Sequence, residues 1–288
     1  MRDKTVVVTG ATNGIGKVTA LELARLGARV LIVGRDPKRG QATLEEIRAQ
    51  SGNANVELLL ADLSLMSETR RLAQEVKAKT EKLDVLVNNA GAIFTEREET
   101  SEGLEKTFAL NHMSYFLLTN LLLENLKASG NARVVNVSSD AHRIGALTFE
   151  DLQARNGFNS MRVYGQSKLM NVLFSNELAR RLTGTGVTSN ALHPGVVATG
   201  FAQGSSGVWG WVFKLLRFIP GAMVTPQQGA RTSVYLASSN AVNGVTGLYF
   251  SNLKPSTPSG ASLEVPAQER LWLESERIAG LTAPVATD

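Results

Sequence analysis

The chain has no cysteine among its 288 residues. This absence excludes disulfide bonds, thiolate catalysis and cysteine-ligated zinc or iron–sulfur sites, and it is compatible with a reducing cytoplasm. Its three histidines, His112, His142 and His193, are scattered, and none pairs with another at metal-ligand spacing. We therefore expect no metal site, and we expect each histidine to be a hydrogen-bonded structural residue.

The chain also lacks a strong charge of one sign and a long apolar run. Its net charge is only +4 and no run of like charges occurs, so a nucleic acid is not expected as a partner. No apolar run reaches the roughly 18–20 uninterrupted residues that a membrane-spanning helix needs. The first predicted strand begins near Thr5, which leaves no room for a signal peptide or an N-terminal anchor. These absences together favour a cytoplasmic protein.

What is present resembles an ordinary globular protein, with 43% apolar and 19% charged residues. A chain of this length can bury a substantial core. Because neither an internal repeat nor a linker is visible, we predict a single domain that spans residues 1–288.

Continuous apolar runs alternate with helix-forming segments along the first half of the chain. Strands are predicted at Thr5–Thr9, Ala28–Val33, Val56–Leu60, Leu83–Asn88 and Ala132–Val137. Intervening helices are predicted to end at Leu26 and Ala49, to run from Asp62 to Lys79, and to run from about Ser101 to Lys127. The remaining predicted elements are a helix at Thr225–Leu236, a last strand at Gly247–Phe250 and an amphipathic segment, Ala267–Ile278, packed on the body. This order predicts an α/β fold with a doubly wound parallel sheet, the Rossmann fold.

A glycine-rich turn, Thr9–Gly16, separates the first strand from the first helix. Glycines at such a turn let the backbone approach a pyrophosphate, which then sits on the helix N-terminus. The strand–turn–helix context predicts nucleotide binding, although any tight connection could use a glycine-rich turn. We assign to this site Gly10, Thr12, Asn13, Gly14, Ile15 and Gly16.

The tip of the second strand bears on the choice of coenzyme. A carboxylate there would hold the ribose 2′-hydroxyl of NAD, whereas a nearby arginine suits the 2′-phosphate of NADP. Gly34 occupies the tip and Arg35 follows it, so charge matching favours NADP(H). The alternative is a solvated Arg35 that starts a loop, with Asp36 as the cap of the next helix.

Asp62 and Leu63 follow the third predicted strand and complete the adenine side of the predicted site. Asp62 could either cap the next helix or hydrogen-bond the adenine, and its position at a strand end fits both roles.

Tyr164 and Lys168 stand four residues apart, which places both side chains on one face of a helix. A free tyrosine has a pKa of about 10, and a cation within roughly 4–6 Å can lower it by about 1–3 units. We therefore expect Lys168 to lower the pKa of Tyr164 and the pair to transfer protons. The alternative is a tyrosine and a lysine at a helix surface.

Motifs in a fixed order identify a family resemblance that covers Lys4 to about Phe250. They are Thr9–Gly16, Asn88–Gly91, Asn111, Ser139, Tyr164–Lys168 and His193–Thr199. The chain resembles the short-chain dehydrogenases/reductases and, within them, the retinol dehydrogenase branch. Many animal members of that branch carry an N-terminal membrane anchor, and we expect none in this protein.

The resemblance implies a proton relay in which Tyr164 exchanges a proton with the substrate oxygen and Ser139 hydrogen-bonds that oxygen. Lys168 would hold the nicotinamide ribose, and Asn111 would bind a water that links Lys168 to solvent. From its position within an apolar stretch alone, Asn111 could instead tie two elements together. The resemblance further implies cofactor contacts at Asn89, Pro194, Gly195, Val197 and Thr199.

Two segments depart from a minimal fold of this kind. A long loop at about residues 140–160 resembles the substrate loop of the retinol dehydrogenase branch. An insertion at about residues 200–224 contains Val208–Ile219, whose apolar arc leaves only Gly210, Lys214 and Arg217 on a narrow stripe. This segment could be core, a lid over an apolar substrate, or a peripheral contact with a membrane surface.

The sequence thus predicts an NADP(H)-dependent oxidoreductase that interconverts an apolar aldehyde or ketone and its alcohol, with retinal-like substrates favoured. One alternative is a ketoreductase that acts on small or steroid-like carbonyls. A non-enzyme alternative is a catalytically idle NADP-binding sensor or scaffold. The sequence leaves open whether the chain forms a homo-oligomer.

Overall fold

The computed structural model of the protein describes residues 1–195 and 224–281. Their strands are β1 Thr5–Val8, β2 Arg29–Gly34, β3 Val56–Leu60, β4 Val85–Asn88, β5 Arg133–Val137, β6 Thr188–His193, β7 Tyr249–Ser251 and β8 Lys254–Pro255. Within the described residues they form one eight-stranded sheet in the order β3-β2-β1-β4-β5-β6-β7-β8. Neighbouring strands pair in parallel except β7 and β8. The predicted doubly wound parallel sheet is confirmed.

Helices cover both faces of this sheet. The first six are α1 Gly14–Arg25, α2 Pro37–Ser51, α3 Met66–Lys79, α4 Lys106–Phe108, α5 Ser114–Leu121 and α6 Leu123–Ala128, with a π-helical turn, Ala109–Met113, between α4 and α5. The later helices are α7 Ser160–Arg181, α8 Pro226–Ser238, α9 Gly260–Leu263 and α10 Val265–Ala279.

The core divides into two layers because successive strand residues point to opposite faces of the sheet. Val7 of β1 packs in a cluster with residues of α3, α5 and α7, whereas its neighbours Val6 and Val8 pack in another with α1, α2 and α8. All three valines are fully buried. Burial on both faces explains why the strand is a continuous apolar run. The predicted C-terminal amphipathic segment, now α10, buries Leu271 and Trp272 in the first layer and is confirmed.

Two predicted helix starts are wrong. The helix expected from Ser101 begins at Lys106, because the Glu105 carboxylate accepts hydrogen bonds from the backbone N–H groups of Thr107 and Phe108. The segment is also not continuous, since the π-helical turn interrupts it. The helix expected from Asp62 begins at Met66, because Asp62 instead closes a turn by accepting bonds from the N–H and the hydroxyl of Ser64.

Two strands were not predicted. The strand β6 contains two polar residues, Ser189 and Asn190, which interrupt the apolar pattern by which a buried strand is predicted. Both are buried and hydrogen-bonded, Ser189 to Asn136 and Asn190 to the carbonyl of Val245. The strand β8 ends in Pro255. Proline lacks a backbone N–H, and a strand with only one neighbour tolerates this because it has no second strand to bond.

Several sequence predictions lie outside the described residues. These are the cofactor contacts Val197 and Thr199, the segment Val208–Ile219, and the insertion at about residues 200–224 apart from Val224. In the described part of the chain, no helix is both long enough and apolar enough to span a membrane.

Candidate active site

The glycine-rich turn between β1 and α1 has the geometry of a phosphate cradle. Gly10 and Gly14 have φ of +62° and +53°, a region that side-chain-bearing residues rarely adopt. A Cβ on Gly16 would lie 2.3 Å from the carbonyl oxygen of Gly10 and 2.4 Å from Nδ2 of Asn89. Asn13 caps the helix by accepting a 2.8 Å hydrogen bond from the N–H of Gly14. The first turn of α1 carries no acidic side chain, so its positive end fits an anionic group.

Asn89 braces this turn from the end of β4. Its Nδ2 donates to the carbonyl of Thr9 at 2.8 Å and lies 3.3 Å from that of Gly10, while its own N–H donates to Thr9 Oγ1 at 2.8 Å. Hydrogen bonds from the end of the neighbouring strand β4 therefore fix the conformation of the turn. A direct cofactor contact by Asn89, as the sequence predicts, remains a prediction.

Gly34 at the tip of β2 packs directly on the glycine-rich turn. A Cβ there would lie 2.3 Å from Cγ2 of Thr12, which leaves no room for a carboxylate-bearing side chain. Arg35 is exposed, and none of the described residues hydrogen-bonds or ion-pairs with its guanidinium. Asp36 caps α2 by accepting a 2.7 Å bond from the N–H of Arg39, the role that the alternative interpretation of this segment gives it.

The adenine-side candidates lie where β3 ends. One carboxylate oxygen of Asp62 accepts hydrogen bonds from the N–H and the hydroxyl of Ser64. The neighbouring Leu63 is only 6% exposed. Of the two roles considered for Asp62, the helix cap is therefore excluded, and the adenine contact remains a prediction.

The helix α7 presents Tyr164 and Lys168 beneath the carboxyl end of the sheet. Both side chains are buried, and Nζ of Lys168 lies 5.7 Å from the centre of the Tyr164 ring and 5.8 Å from that of Tyr115. The same Nζ donates a 3.1 Å hydrogen bond to the carbonyl of Val137, the last residue of β5. Lys168 is therefore anchored to the strand that delivers Ser139.

Ser139 completes the group from the loop after β5. Its hydroxyl accepts a 3.2 Å bond from the N–H of Ala141 and is hydrogen-bonded to the Tyr164 side chain. The neighbouring Ser138 donates a 2.7 Å bond to the carbonyl of Lys168. These bonds bring together three of the four predicted catalytic residues.

Burial controls the protonation of the tyrosine and the lysine. Loss of water raises the pKa of Tyr164 to about 12, and the hydrogen bond from Ser139 opposes this only in part. Loss of water also lowers the pKa of Lys168 to about 7. Burial thus raises the pKa of Tyr164 overall, and the expected lowering effect of Lys168 remains a prediction. With this raised pKa the Tyr164 hydroxyl keeps its proton at neutral pH.

Asn111, the fourth predicted catalytic residue, lies in the π-helical turn. Its Oδ1 accepts a 2.9 Å bond from the N–H of Ala92, and its Nδ2 donates to the carbonyl of Ala92 at 2.9 Å and to Ser167 Oγ at 3.0 Å. Asn111 thus ties the loop after β4 to α7, which is one of the two roles left open by the sequence. Its predicted hold on a water molecule remains a prediction.

Gly91 lies against the side chains of both Asn111 and Lys168. A Cβ there would lie 3.2 Å from Oδ1 of Asn111 and 3.3 Å from Nζ of Lys168. Any larger residue would press on both side chains. At positions 10, 16, 34 and 91, all at the carboxyl edge of the sheet, a Cβ would therefore press on neighbouring groups.

Pro194 and Gly195 follow β6 at the same edge. Gly195 has a φ of +88°, and a Cβ there would lie 2.8 Å from Cγ2 of Val224. Their predicted contact with the cofactor remains a prediction.

The three histidines are hydrogen-bonded, as expected. His112 bonds to Ser275 Oγ at 2.8 Å, His142 to the carbonyl of Ser139 at 2.7 Å, and His193 Nδ1 to the N–H of Asp140 at 3.2 Å. Among the described residues no group of three or more His, Cys, Asp or Glu side chains could hold a metal ion.

A buried polar network behind the site was not predicted. The amide of Asn88 donates to Thr119 Oγ1 and to Asn136 Oδ1, and Asn136 donates in turn to Ser175 and Ser189. It crosses from β4 to β6, where sequence periodicity predicts only apolar side chains. The one signal was the asparagine within the otherwise apolar run of β5.

Comparisons with known proteins agree with this geometry. The family model described as short chain dehydrogenase matches residues 4–207. The chain is 42% identical to Retinol dehydrogenase 13 of Homo sapiens over 98% of its own length and 86% of that relative's length.

Two solved structures share the fold. A crystal structure of an uncharacterized protein from Mycobacterium Paratuberculosis has a TM-score of 0.78 and 33% identity, covering 99% of this chain and 96% of the other. The Pseudomonas aeruginosa RhlG/NADP active-site complex has a TM-score of 0.70 and 27% identity, covering 91% and 97%.

Proposed function

We propose, from the premise that this chain belongs to the short-chain dehydrogenase family, that it is an NADP(H)-dependent oxidoreductase. It interconverts an apolar aldehyde or ketone and its alcohol by hydride transfer. The observation that carries the proposal is the group formed by the partly exposed Ser139 and the buried Tyr164 and Lys168, at the same edge of the sheet as the glycine-rich turn. When bound, a nicotinamide cofactor supplies or accepts the hydride.

The protein's own residues manage the proton. The neutral Tyr164 donates a proton to the substrate oxygen during reduction, and Ser139 donates a hydrogen bond to the same oxygen. Fixed donors of this kind stabilise the negative charge that develops on oxygen in the transition state. Lys168, with a pKa of about 7, exchanges protons readily near neutrality and returns one towards Tyr164.

The proposed preference for NADP(H) rests on the last residue of β2, Gly34, and on Arg35, which follows it. Gly34 leaves no space for the carboxylate that would bind a ribose 2′-hydroxyl. Arg35 follows it with an exposed guanidinium that bonds to none of the residues the structure describes, and a guanidinium suits a 2′-phosphate. The structural relative in complex with NADP supports this choice.

The preference for an apolar substrate rests on the likeness to a retinol dehydrogenase and on Ile144. This side chain is 62% exposed and lies five residues after Ser139, near the start of the loop that follows β5. A cytoplasmic location, a peripheral membrane contact through Val208–Ile219 and homo-oligomerisation remain proposals made from the sequence.

The test is NADPH consumption by the purified protein with retinal, other isoprenoid aldehydes, short aliphatic aldehydes and steroid-like ketones. We expect turnover with the apolar aldehydes. Faster turnover of the ketones would favour the ketoreductase alternative. If NADPH binds but no carbonyl is reduced and no alcohol is oxidised with NADP, the enzyme proposal fails in favour of an NADP-binding scaffold.

A further inference from the structure

The peptide group between Ser139 and Asp140 is held at both ends by histidine side chains. Its carbonyl oxygen lies 2.7 Å from Nδ1 of His142, and its N–H donates a 3.2 Å hydrogen bond to Nδ1 of His193. His142 is fully buried and His193 is 9% exposed. The backbone that carries the Ser139 side chain is therefore fixed by two imidazoles from different parts of the chain.

The partners of each ring determine which nitrogen carries the proton. The Nε2 of His142 accepts a 3.0 Å bond from the N–H of Ser259, so its proton resides on Nδ1 and is donated to Ser139. The Nδ1 of His193 accepts from Asp140, so its proton resides on Nε2, which lies 3.1 Å from Oδ2 of Asp140. The two histidines are both neutral and hold opposite tautomers.

On the premise of the proposed oxidoreductase function, we propose that His142 and His193 are positioning residues. Together they hold Ser139 against Tyr164, and they do so only while both imidazoles are neutral. Neither histidine contacts the reacting atoms, so each acts through the backbone of Ser139.

Geometry explains why the serine needs such support. Ser139 is partly exposed, and its hydroxyl is shared between the N–H of Ala141 and the side chain of Tyr164. Rotation of the Ser139–Asp140 peptide would change the direction of the Ser139 side chain. A displacement of about 1 Å in a catalytic group can cost roughly 100-fold in rate.

Protonation of either ring would break this arrangement. A proton on Nδ1 of His193 would face the N–H of Asp140, and a proton on Nε2 of His142 would face the N–H of Ser259. In each case an acceptor becomes a donor and a hydrogen bond is lost.

Burial keeps the two rings neutral near pH 7, and the charged groups around them act in both directions. Burial is the largest effect and lowers the pKa of both histidines below the usual value, and Arg143 lowers both further. The carboxylate of Asp140 opposes this, but it is 54% exposed and also faces Arg143 and the hydroxyl of Tyr249. Tyr249, whose ring centre lies 4.9 Å from that of His142, adds no charge because burial raises its pKa.

A first experiment reads the tautomers without any turnover. In protein labelled with ¹⁵N-histidine, we expect NMR to show a non-protonated Nε2 on His142 and a non-protonated Nδ1 on His193. Both rings should titrate only below the ordinary histidine pKa of about 6.5. A cationic ring at neutral pH, or the same tautomer on both rings, would overturn the proposal.

A second experiment separates positioning from mere stability. His193→Asn places an amide oxygen near the former Nδ1, where it accepts from Asp140 but cannot titrate. His193→Leu has similar bulk and no acceptor. We expect the Leu variant to lose roughly 10- to 100-fold in kcat with NADPH affinity nearly unchanged. The Asn variant should keep most of kcat, and it should lose part of the fall in kcat that the wild type shows as pH drops below the ordinary histidine pKa of about 6.5.

The outcomes distinguish this inference from the function on which it rests. A folded Leu variant with wild-type kcat, or an Asn variant with the full acid fall in kcat, would overturn the positioning role. If the Leu variant does not fold, the pH profile of the Asn variant decides. Wild-type protein that reduces no carbonyl would instead count against the proposed function, while the NMR tautomers still test the arrangement itself.

Discussion

A Cβ on Gly34 would lie 2.3 Å from Cγ2 of Thr12 and 3.2 Å from its Oγ1. This contact joins the tip of β2 to the glycine-rich turn after β1. The φ of Gly34 is not in the left-handed region, so the demand for glycine comes from space alone. The same contact therefore excludes from position 34 the carboxylate side chain that would bind the ribose 2′-hydroxyl of NAD.

The contact predicts a specific coupling between the two residues. Gly34→Ala should lower the free energy of unfolding by about 1–3 kcal/mol, the usual cost of overpacking. In a Thr12→Ser background, which lacks Cγ2, the same substitution should cost less than half as much. Urea unfolding of the four proteins in this cycle measures the coupling. Equal costs in both backgrounds would show that Thr12 is not what excludes a side chain at position 34.

Arg35 should carry the preference for NADPH. Charge-assisted hydrogen bonds to a 2′-phosphate are worth about 1.5–3 kcal/mol, which is roughly ten- to a hundredfold in affinity. We expect Arg35→Ala to weaken NADPH binding by that factor and to leave NADH binding almost unchanged. Arg277→Ala, which removes an exposed arginine from α10, is the matched control. Equal wild-type dissociation constants for NADPH and NADH would refute the assignment.

His112 should make the fold sensitive to acid. Burial lowers its pKa to about 3 in the folded chain, whereas the unfolded value is about 6.5. Between these values the unfolded chain binds the extra proton, so stability falls as pH falls. From pH 6.5 to 4.5 the loss should be about 2–3 kcal/mol.

Two variants isolate this effect. His112→Phe, which fits among Phe108, Phe116 and Phe174, should remove that part of the acid loss. Ser275→Ala keeps the imidazole but removes its hydrogen-bond partner. It should cost about 1–3 kcal/mol at neutral pH and keep the acid loss. Denaturant unfolding at both pH values gives the comparison, and an undiminished acid loss in His112→Phe would contradict the account.

Much of the nucleotide-binding half could be predicted because its requirements are local. A continuous apolar run specifies a strand buried on both faces, and the glycines of Thr9–Gly16 specify a tight turn whatever the rest of the chain does. The strand β6 could not be predicted, because Ser189 and Asn190 are accommodated only by partners far away in the sequence. The π-helical turn depends likewise on the bonds between Asn111 and Ala92.

The catalytic pair shows where spacing stops being informative. Four residues of separation correctly place Tyr164 and Lys168 on one face of α7. The pKa of Tyr164, however, depends on how completely the whole fold removes water from both groups. Spacing carries no information on that desolvation, so the rise that burial causes in the pKa of Tyr164 could not be predicted from the sequence.

The most direct test of the central claim is the rate of carbonyl reduction by Tyr164→Phe. The variant keeps the ring but has no proton to donate, so NADPH should still bind with an almost unchanged dissociation constant. Turnover should fall by about 10²–10⁴-fold, the usual worth of general acid–base catalysis. Tyr235→Phe on α8, which removes a hydroxyl away from the site, should keep the wild-type rate. A Tyr164→Phe variant with wild-type rates on every active aldehyde would show that Tyr164 is not the proton donor.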